Sequence, residues 1–387
     1  MNLELLNSFI LDDRTHNYAY YSKYSLGYQL TQNSTLLQIN NAGDPYAKSY
    51  WQLTSHDDER YVVNWFAYLL KFVKPWGYCS TGSTESILCA LWCARKRYPK
   101  AKIYASSDAH FCIRKCADIL SIEYVEIPTR NGSINIDKLL DTISHENIVV
   151  FTMGTTINGA YDNIEEFYEK LDVVRKLRYN MDNQPQFHIH LDAAFGGMIY
   201  PFMCPDWVNY HIDTINISLH KFIGVPIPCS LFLIREELKK EISYSKCAGA
   251  YGCEMVCIPD RDFCVSCSRS GLSVLLVKKY LETFNEEEHI HNIMRLLNLK
   301  EYFMKHDTIQ SLNPITYPLS LSVVFDLPDK TNPQTIEIIK KYSLSEHYNK
   351  THIYFCKHVD KPLIDEFIHD VKKLNRENNY AFEGDLI

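Results

Sequence analysis

Between residues 76 and 235, short and nearly continuous apolar runs alternate with stretches of helical periodicity. The runs are Lys102–Ser106, Ile122–Ile127, Asn147–Met153, Phe187–Leu191, Thr214–Ser218 and Cys229–Ile234. Apolar residues at consecutive positions, rather than at every second one, predict strands buried on both faces. The intervening helices then predict a mostly parallel sheet of the α/β class. Upstream, residues 1–60 form a tyrosine- and asparagine-rich arm of weak periodicity, with a turn cluster at Asn40-Asn41-Ala42-Gly43-Asp44-Pro45. From His56 to Leu70 a helix is expected, with Val62, Val63, Phe66, Leu69 and Leu70 on one face. Beyond residue 280 the pattern changes to a helix over Glu286–His306 and strands at Leu319–Phe325 and His352–Cys356, an α+β layout. The expected division is an arm (1–60), a large domain (61–280) and a small C-terminal domain (281–387).

At 387 residues the chain exceeds the size at which a single core stops growing, in keeping with that division. Its net charge of -7 is spread among interspersed acids and bases, so no basic field points to nucleic acid or a membrane surface. No apolar run approaches the length of a membrane span. The first residues lack a basic region and a small-residue cleavage site, and the 13 cysteines are spread along the chain. Reduced thiols in a cytoplasmic protein are expected. Cys253, Cys257, Cys264 and Cys267 cluster, but the gap between the pairs is shorter than in a zinc ribbon, so no metal is expected.

The candidate chemistry lies just after the predicted strands, where open α/β sheets place ligands. Lys221 follows Thr214–Ser218, preceded by His220 and followed by Phe222-Ile223-Gly224. Apolar neighbours disfavour its charged form and so favour a nucleophilic amine. Asp192 ends Phe187–Leu191 and is followed by Ala193-Ala194, small residues that leave room for a flat ring. A lysine to attach an aldehyde and a carboxylate to face a pyridine nitrogen are the needs of pyridoxal 5'-phosphate. Gly82-Ser83-Thr84 opens a helix with backbone N–H groups and hydroxyls suited to an anion. His110, after Lys102–Ser106, offers a ring for stacking, and Thr155 and Thr156 offer hydroxyls after Asn147–Met153. Each has a plainer reading: an N-cap, a loop histidine, a turn with Asp162 or Asn163 as cap, a surface lysine. Their joint occurrence at strand ends favours one cofactor.

These segments resemble the pyridoxal-phosphate-dependent group II amino-acid decarboxylases, in the branch of bacterial histidine decarboxylases and plant serine decarboxylases. The matching stretches include residues 40–45, Trp76-Gly77-Tyr78, Gly154-Thr155-Thr156, His190-Leu191-Asp192-Ala193-Ala194, His220-Lys221, Pro226-Ile227-Pro228-Cys229 and Ser268-Arg269. The resemblance implies the aspartate-aminotransferase-type fold (fold type I) and a homodimer with active sites at the subunit interface. It also implies roles: Lys221 attaches the cofactor, Asp192 pairs with the pyridine nitrogen, and His110 and Ala194 cover the two ring faces. Gly82, Ser83, Ser218 and His220 surround the phosphate, and Thr155 or Thr156 approaches the phenolic oxygen. Thr81 and Ser83 depart from the family's Asn and Gly and add bulk near the phosphate. Cys112 replaces a serine, and Cys264–Leu272 departs from a motif that serves the interface in relatives.

The activity so implied is decarboxylation of an L-amino acid to its amine and carbon dioxide, with histidine the favoured substrate and serine the alternative. Diversion of the same chemistry to an aldehyde, or a cofactor-binding protein without catalysis, are the competing readings. Tyr244 and Tyr251 are the candidate donors of the Cα proton, on a mobile loop.

Overall fold

A computed structural model describes residues 39–47, 54–179, 183–207, 211–239, 263–327, 331–347 and 350–384. The chain divides into two compact units. One runs from Leu26 to Phe284 apart from Ile157–Gly159; the other contains that short segment and the chain from Asn285 onward.

Seven strands form the sheet of the larger unit: β1 (Pro75–Ser80), β2 (Lys102–Ser106), β3 (Tyr124–Ile127), β4 (Glu146–Thr152), β5 (Gln186–Asp192), β6 (Thr214–Ser218) and β7 (Ser230–Arg235). Their order is β1-β7-β6-β5-β4-β2-β3. Pairing is parallel from β6 through β5, β4 and β2 to β3, and only β7 runs against its two neighbours. The helices of this unit are α1 (His56–Leu69), α2 (Ser83–Arg97), α3 (Cys112–Ile119), α4 (Ile136–Thr142), α5 (Ile164–Arg178) and α6 (Gly271–Glu282). Ile103, Ala105, Ile148 and Val150 of the sheet pack in one core with Ile87, Leu91 and Ala94 of α2 and Ile113 and Cys116 of α3. On the other face Phe151 of β4 and Phe187 of β5 meet Phe167 of α5 edge-on. Both faces of the sheet are covered, which explains the unbroken apolar runs.

No strand is predicted at 75–80, where Pro75 and Gly77 are residue types that disfavour one. Edge position accommodates the proline. The glycine is required by close approach, since a Cβ at Gly77 would lie 2.2 Å from the Phe232 carbonyl oxygen.

Residues 264–271 are stapled into this unit by a buried ion pair. Arg269 binds Glu59 of α1 and also donates to the carbonyls of Cys79 (3.1 Å) and Gly43 (2.6 Å). Glu59 in turn accepts from Asn41 Nδ2 (2.9 Å) and the Cys79 N–H (2.7 Å). The turn cluster at 40–45 is thus pinned to α1 and β1, so the described part of the arm belongs to this unit. Asp44 accepts from Trp76 Nε1 (3.0 Å) and pairs with Lys239 (2.6 Å).

The smaller unit holds α7 (Glu286–Met304), β8 (Ser322–Phe325), α8 (Pro333–Lys341), β9 (Ser345–His347), β10 (Lys350–Tyr354) and α9 (Lys361–Gly384). Its antiparallel sheet, order β8-β10-β9, carries a core in which Phe303, Phe325, Phe355 and Phe367 meet ring to ring. The predicted strand from Leu319 is shortened to Ser322–Phe325. Leu319 turns into the left-handed region (φ 59°), and Lys300 Nζ bonds the carbonyls of Tyr317 (3.1 Å) and Ser320 (2.7 Å), which holds a turn there. Among the described residues no helix is long and apolar enough to cross a membrane.

Candidate active site

Asp192 closes β5 on the face it shares with His188 and His190, and it is 3 % exposed. Its Oδ1 accepts two hydrogen bonds, from the Ala194 N–H (3.1 Å) and from Asn216 Nδ2 (3.0 Å). Asn216 is its register partner on β6. Asp192 therefore serves its own turn, but with one oxygen only. Oδ2 has no bonded partner among the described residues, which leaves an oriented acceptor. Thr152, the register partner on β4, has a buried hydroxyl without a partner among the described residues.

Lys221 follows β6 in a tight turn closed by Leu219 and Val225 (3.4 Å). Burial pushes its ammonium below the usual lysine range, while Asp192 and Cys112 work in the opposite direction. The shift toward the neutral amine is what attack on an aldehyde requires. His110, half-buried after β2, lies within electrostatic reach of both: burial and then Lys221 lower its proton affinity, and Asp192 raises it. Its Nδ1 accepts the Cys112 N–H (3.2 Å), which assigns the neutral ring a proton on Nε2. The Cys112 thiol is pushed up by burial and stays protonated. The structure thus brings Lys221, Asp192 and His110 together from three separate strand ends.

A second cluster surrounds the N-terminus of α2. No side chain caps this helix at Gly82, and the N–H groups of Ser83 and Thr84 carry no partner among the described residues. Ser83 Oγ lies 2.6 Å from Ser218 Oγ and 3.1 Å from Ser230 Oγ. Ser86 Oγ lies 2.7 Å from Ser80 Oγ and 3.2 Å from Ser230 Oγ. The bulk expected from Ser83 is therefore directed into a network of five hydroxyls. Thr81 is likewise engaged, its N–H and hydroxyl donating to Glu85 Oε2 (2.9 and 2.6 Å). His220 is held by Nδ1 at the backbone of Cys229, 2.8 Å from its oxygen. Ser80, Ser86 and Ser230 were missed in the sequence, where isolated serines carry no signal.

Of the two threonines, Thr155 is buried and its Oγ1 accepts the Ala160 N–H (3.0 Å), closing the 155–160 loop. Thr156 is half-buried after it. Asn163 caps α5 through the Glu166 N–H (3.1 Å). Asp162 instead accepts from the N–H groups of Thr152 and Ile134 (both 2.7 Å), with its carboxyl raised by burial to about 6. Tyr244, Tyr251, Cys253 and Cys257 lie outside the described residues. Among the described residues no cluster of His, Cys, Asp or Glu could hold a metal ion.

An unsatisfied helix N-terminus ringed by hydroxyls fits a phosphate, and the unpaired Asp192 Oδ2 fits a protonated ring nitrogen. The residues present therefore suit pyridoxal phosphate. Residues 57–309 match the family model of the pyridoxal-dependent decarboxylase conserved domain. The chain is 30% identical over 384 residues to the histidine decarboxylase of Vibrio anguillarum, covering 95% of this chain and 94% of that one. It is 28% identical over 380 residues to the histidine decarboxylase of Klebsiella aerogenes, with 95% of each covered. Among solved structures, L-methionine decarboxylase from a Streptomyces species superposes with a TM-score of 0.80 at 19% identity, covering 96% and 94% of the two chains. The glutamate decarboxylase of Lactobacillus brevis gives 0.77 at 19%, covering 97% and 91%. The fold is that of the fold type I pyridoxal-phosphate enzymes. The chain belongs to the pyridoxal-dependent decarboxylases: it is a carboxy-lyase acting on amino acids with pyridoxal phosphate as cofactor.

Proposed function

We propose that the protein decarboxylates L-histidine to histamine, with Lys221, Asp192 and His110 as its catalytic residues. Lys221 would attach the cofactor through its amine and yield that position to the substrate amine. Asp192, oriented by Asn216 and Ala194, keeps a proton on the ring nitrogen through Oδ2. His110 covers one ring face and Ala194 the other. Gly82, Ser83, Thr84, Ser218 and His220 surround the phosphate, and Thr155 or Thr156 approaches the phenolic oxygen. When bound, the cofactor accepts the electron pair left on Cα as carbon dioxide departs. The two compact units correspond in this reading to a large cofactor-binding domain and a small C-terminal domain. The protein acts as a cytoplasmic homodimer with interface sites; abundant cysteines without a disulfide among the described ones support the compartment, and the family resemblance supports the dimer.

The observation that carries the substrate is the similarity to histidine decarboxylases along nearly the whole chain. Residues 40–45 resemble the plant serine decarboxylases, but Asn41 and Asp44 are engaged with Glu59, Trp76 and Lys239. That segment is explained by packing and says nothing of a substrate. The test is a panel of L-amino acids assayed for carbon dioxide and amine, with ammonia and aldehyde measured alongside. Histamine from histidine is expected. Ethanolamine from serine alone, aldehyde as the main product, or no turnover overturns the assignment.

A further inference from the structure

The loop that carries Thr155 and Thr156 is pinned twice, at its base and at its tip. At the base the Thr155 N–H donates to the Ala160 carbonyl (2.8 Å), and the Ala160 N–H donates back to Thr155 Oγ1 (3.0 Å). A hydroxyl that accepts in this way keeps its own proton to donate elsewhere. The tip, Ile157–Gly159, belongs to the smaller unit, whereas Thr156 and Ala160 on either side of it belong to the larger one.

Two serines of the smaller unit hold the tip. Ser322, the first residue of β8, donates through Oγ to the Ile157 carbonyl (2.6 Å), and Ser320 Oγ donates to the Asn158 carbonyl (3.0 Å). Both serines are buried, so water does not compete for these bonds. Their own backbone is fixed in turn. Ser320 Oγ accepts the Ser322 N–H (3.0 Å), Lys300 Nζ donates to the Ser320 carbonyl (2.7 Å), and Thr316 Oγ1 donates to the Ser322 carbonyl (2.7 Å). The tip also fits closely: Gly159 has φ 65°, and a Cβ there would lie 2.0 Å from Ser320 Oγ. Only glycine meets both demands without moving the serine. Thr156 is the one residue between the pinned base and the pinned tip, so a shift of the tip is absorbed there.

We propose that Ser320 and Ser322 are positioning residues for the decarboxylase. By holding Ile157 and Asn158 they set the hydroxyls of the Thr155-Thr156 pair against the phenolic oxygen of the cofactor. The inference rests on the reading that one of those threonines meets that oxygen. A hydroxyl donating to an ionised phenolic oxygen favours the ionised form, so the bound cofactor gives up its proton at lower pH. Loosening the tip weakens that bond and moves the midpoint up.

The midpoint is read from the visible absorbance of the holoenzyme as pH is raised. Replacing the threonine that makes the bond, by Thr155→Val or Thr156→Val, is expected to raise it by about one pH unit. Ser322→Ala, which takes one hydroxyl from the tip, should raise it by about half a unit, as should Gly159→Ala, which drives Ser320 aside from the loop. Phe367→Leu loosens the aromatic core of the smaller unit without touching the loop. It should leave the midpoint in place even where it lowers the melting temperature more than Ser322→Ala does. A midpoint unmoved by Ser322→Ala and Gly159→Ala, but moved by a threonine variant, overturns the proposal and leaves the threonine reading standing. A midpoint unmoved by both threonine variants overturns the two together. An equal shift in Phe367→Leu overturns the proposal as well, because general loosening would then account for the effect.

Discussion

Asn216 donates from its side chain to Asp192 Oδ1 at 3.0 Å, and it lies on the strand that leads into Lys221. One bond thus fixes the carboxylate relative to the lysine, and it leaves Oδ2 as the oxygen facing outward. Removing it in Asn216→Ala leaves the Ala194 N–H as the one described bond that holds the carboxylate. A hydrogen bond to a charged group contributes about 1.5–3 kcal/mol, so cofactor affinity should fall about 10- to 100-fold. Titration of apoenzyme with pyridoxal phosphate, followed by absorbance, measures this; unchanged affinity would show that Asn216 does not orient Asp192.

Ser230 is the junction of the hydroxyl network, bonded to Ser83 and Ser86 and donating to the Ile217 carbonyl at 2.8 Å. Ser230→Ala should weaken binding of the cofactor more than it lowers the melting temperature of the apoenzyme. Competition by inorganic phosphate should weaken in parallel, since the anion site is what has been loosened.

The Arg269–Glu59 pair is fully enclosed, with side chains 1% and 0% exposed. Breaking a buried pair from one side leaves an uncompensated charge and costs about 3–5 kcal/mol. Arg269→Ala should lower thermal stability strongly, and a double-mutant cycle with Glu59→Ala should show coupling well above that of a surface pair. Additive effects would contradict the pairing.

His188 and His190 flank the Thr214 hydroxyl at 3.1 and 3.0 Å beneath Asp192. Burial lowers both from 6.5 to about 4. The unfolded chain therefore takes up protons first as pH falls, and the folded state does so only near pH 4. Their contribution is intact above about pH 6.5 and is lost progressively between there and about 4. Stability of the cofactor-free protein should rise with pH across this window, and His188→Asn should reduce the slope by close to one proton.

Much of this architecture was legible because the sheet is buried on both faces. Lys102–Ser106 and Thr214–Ser218 appear with the bounds their apolar runs predict. The helix at Ser83 likewise starts after Gly82 and ends at Arg97, two residues before Pro99. Asp192 and Lys221 stand out in company rather than singly, because several chemistry-bearing residues fall just after such runs. The rest depended on partners distant in sequence. Pro75 and Gly77 look like breakers until β7 is alongside, and Ser230 looks ordinary until it lies against Ser83, 147 positions away. Arg269 carried no sign of Glu59, 210 positions earlier. The shortened strand after Leu319 depends on Lys300 reaching two carbonyls, a tertiary contact without a local pattern.

The central claim is that Lys221 is the lysine that attaches the cofactor. Reduction of the holoenzyme with borohydride, followed by digestion and mass spectrometry, tests it directly. The account predicts a pyridoxyl-phosphate mass on the peptide containing His220-Lys221-Phe222, and none after Lys221→Ala. Label on another lysine, or no label at all in protein saturated with pyridoxal phosphate, would contradict it.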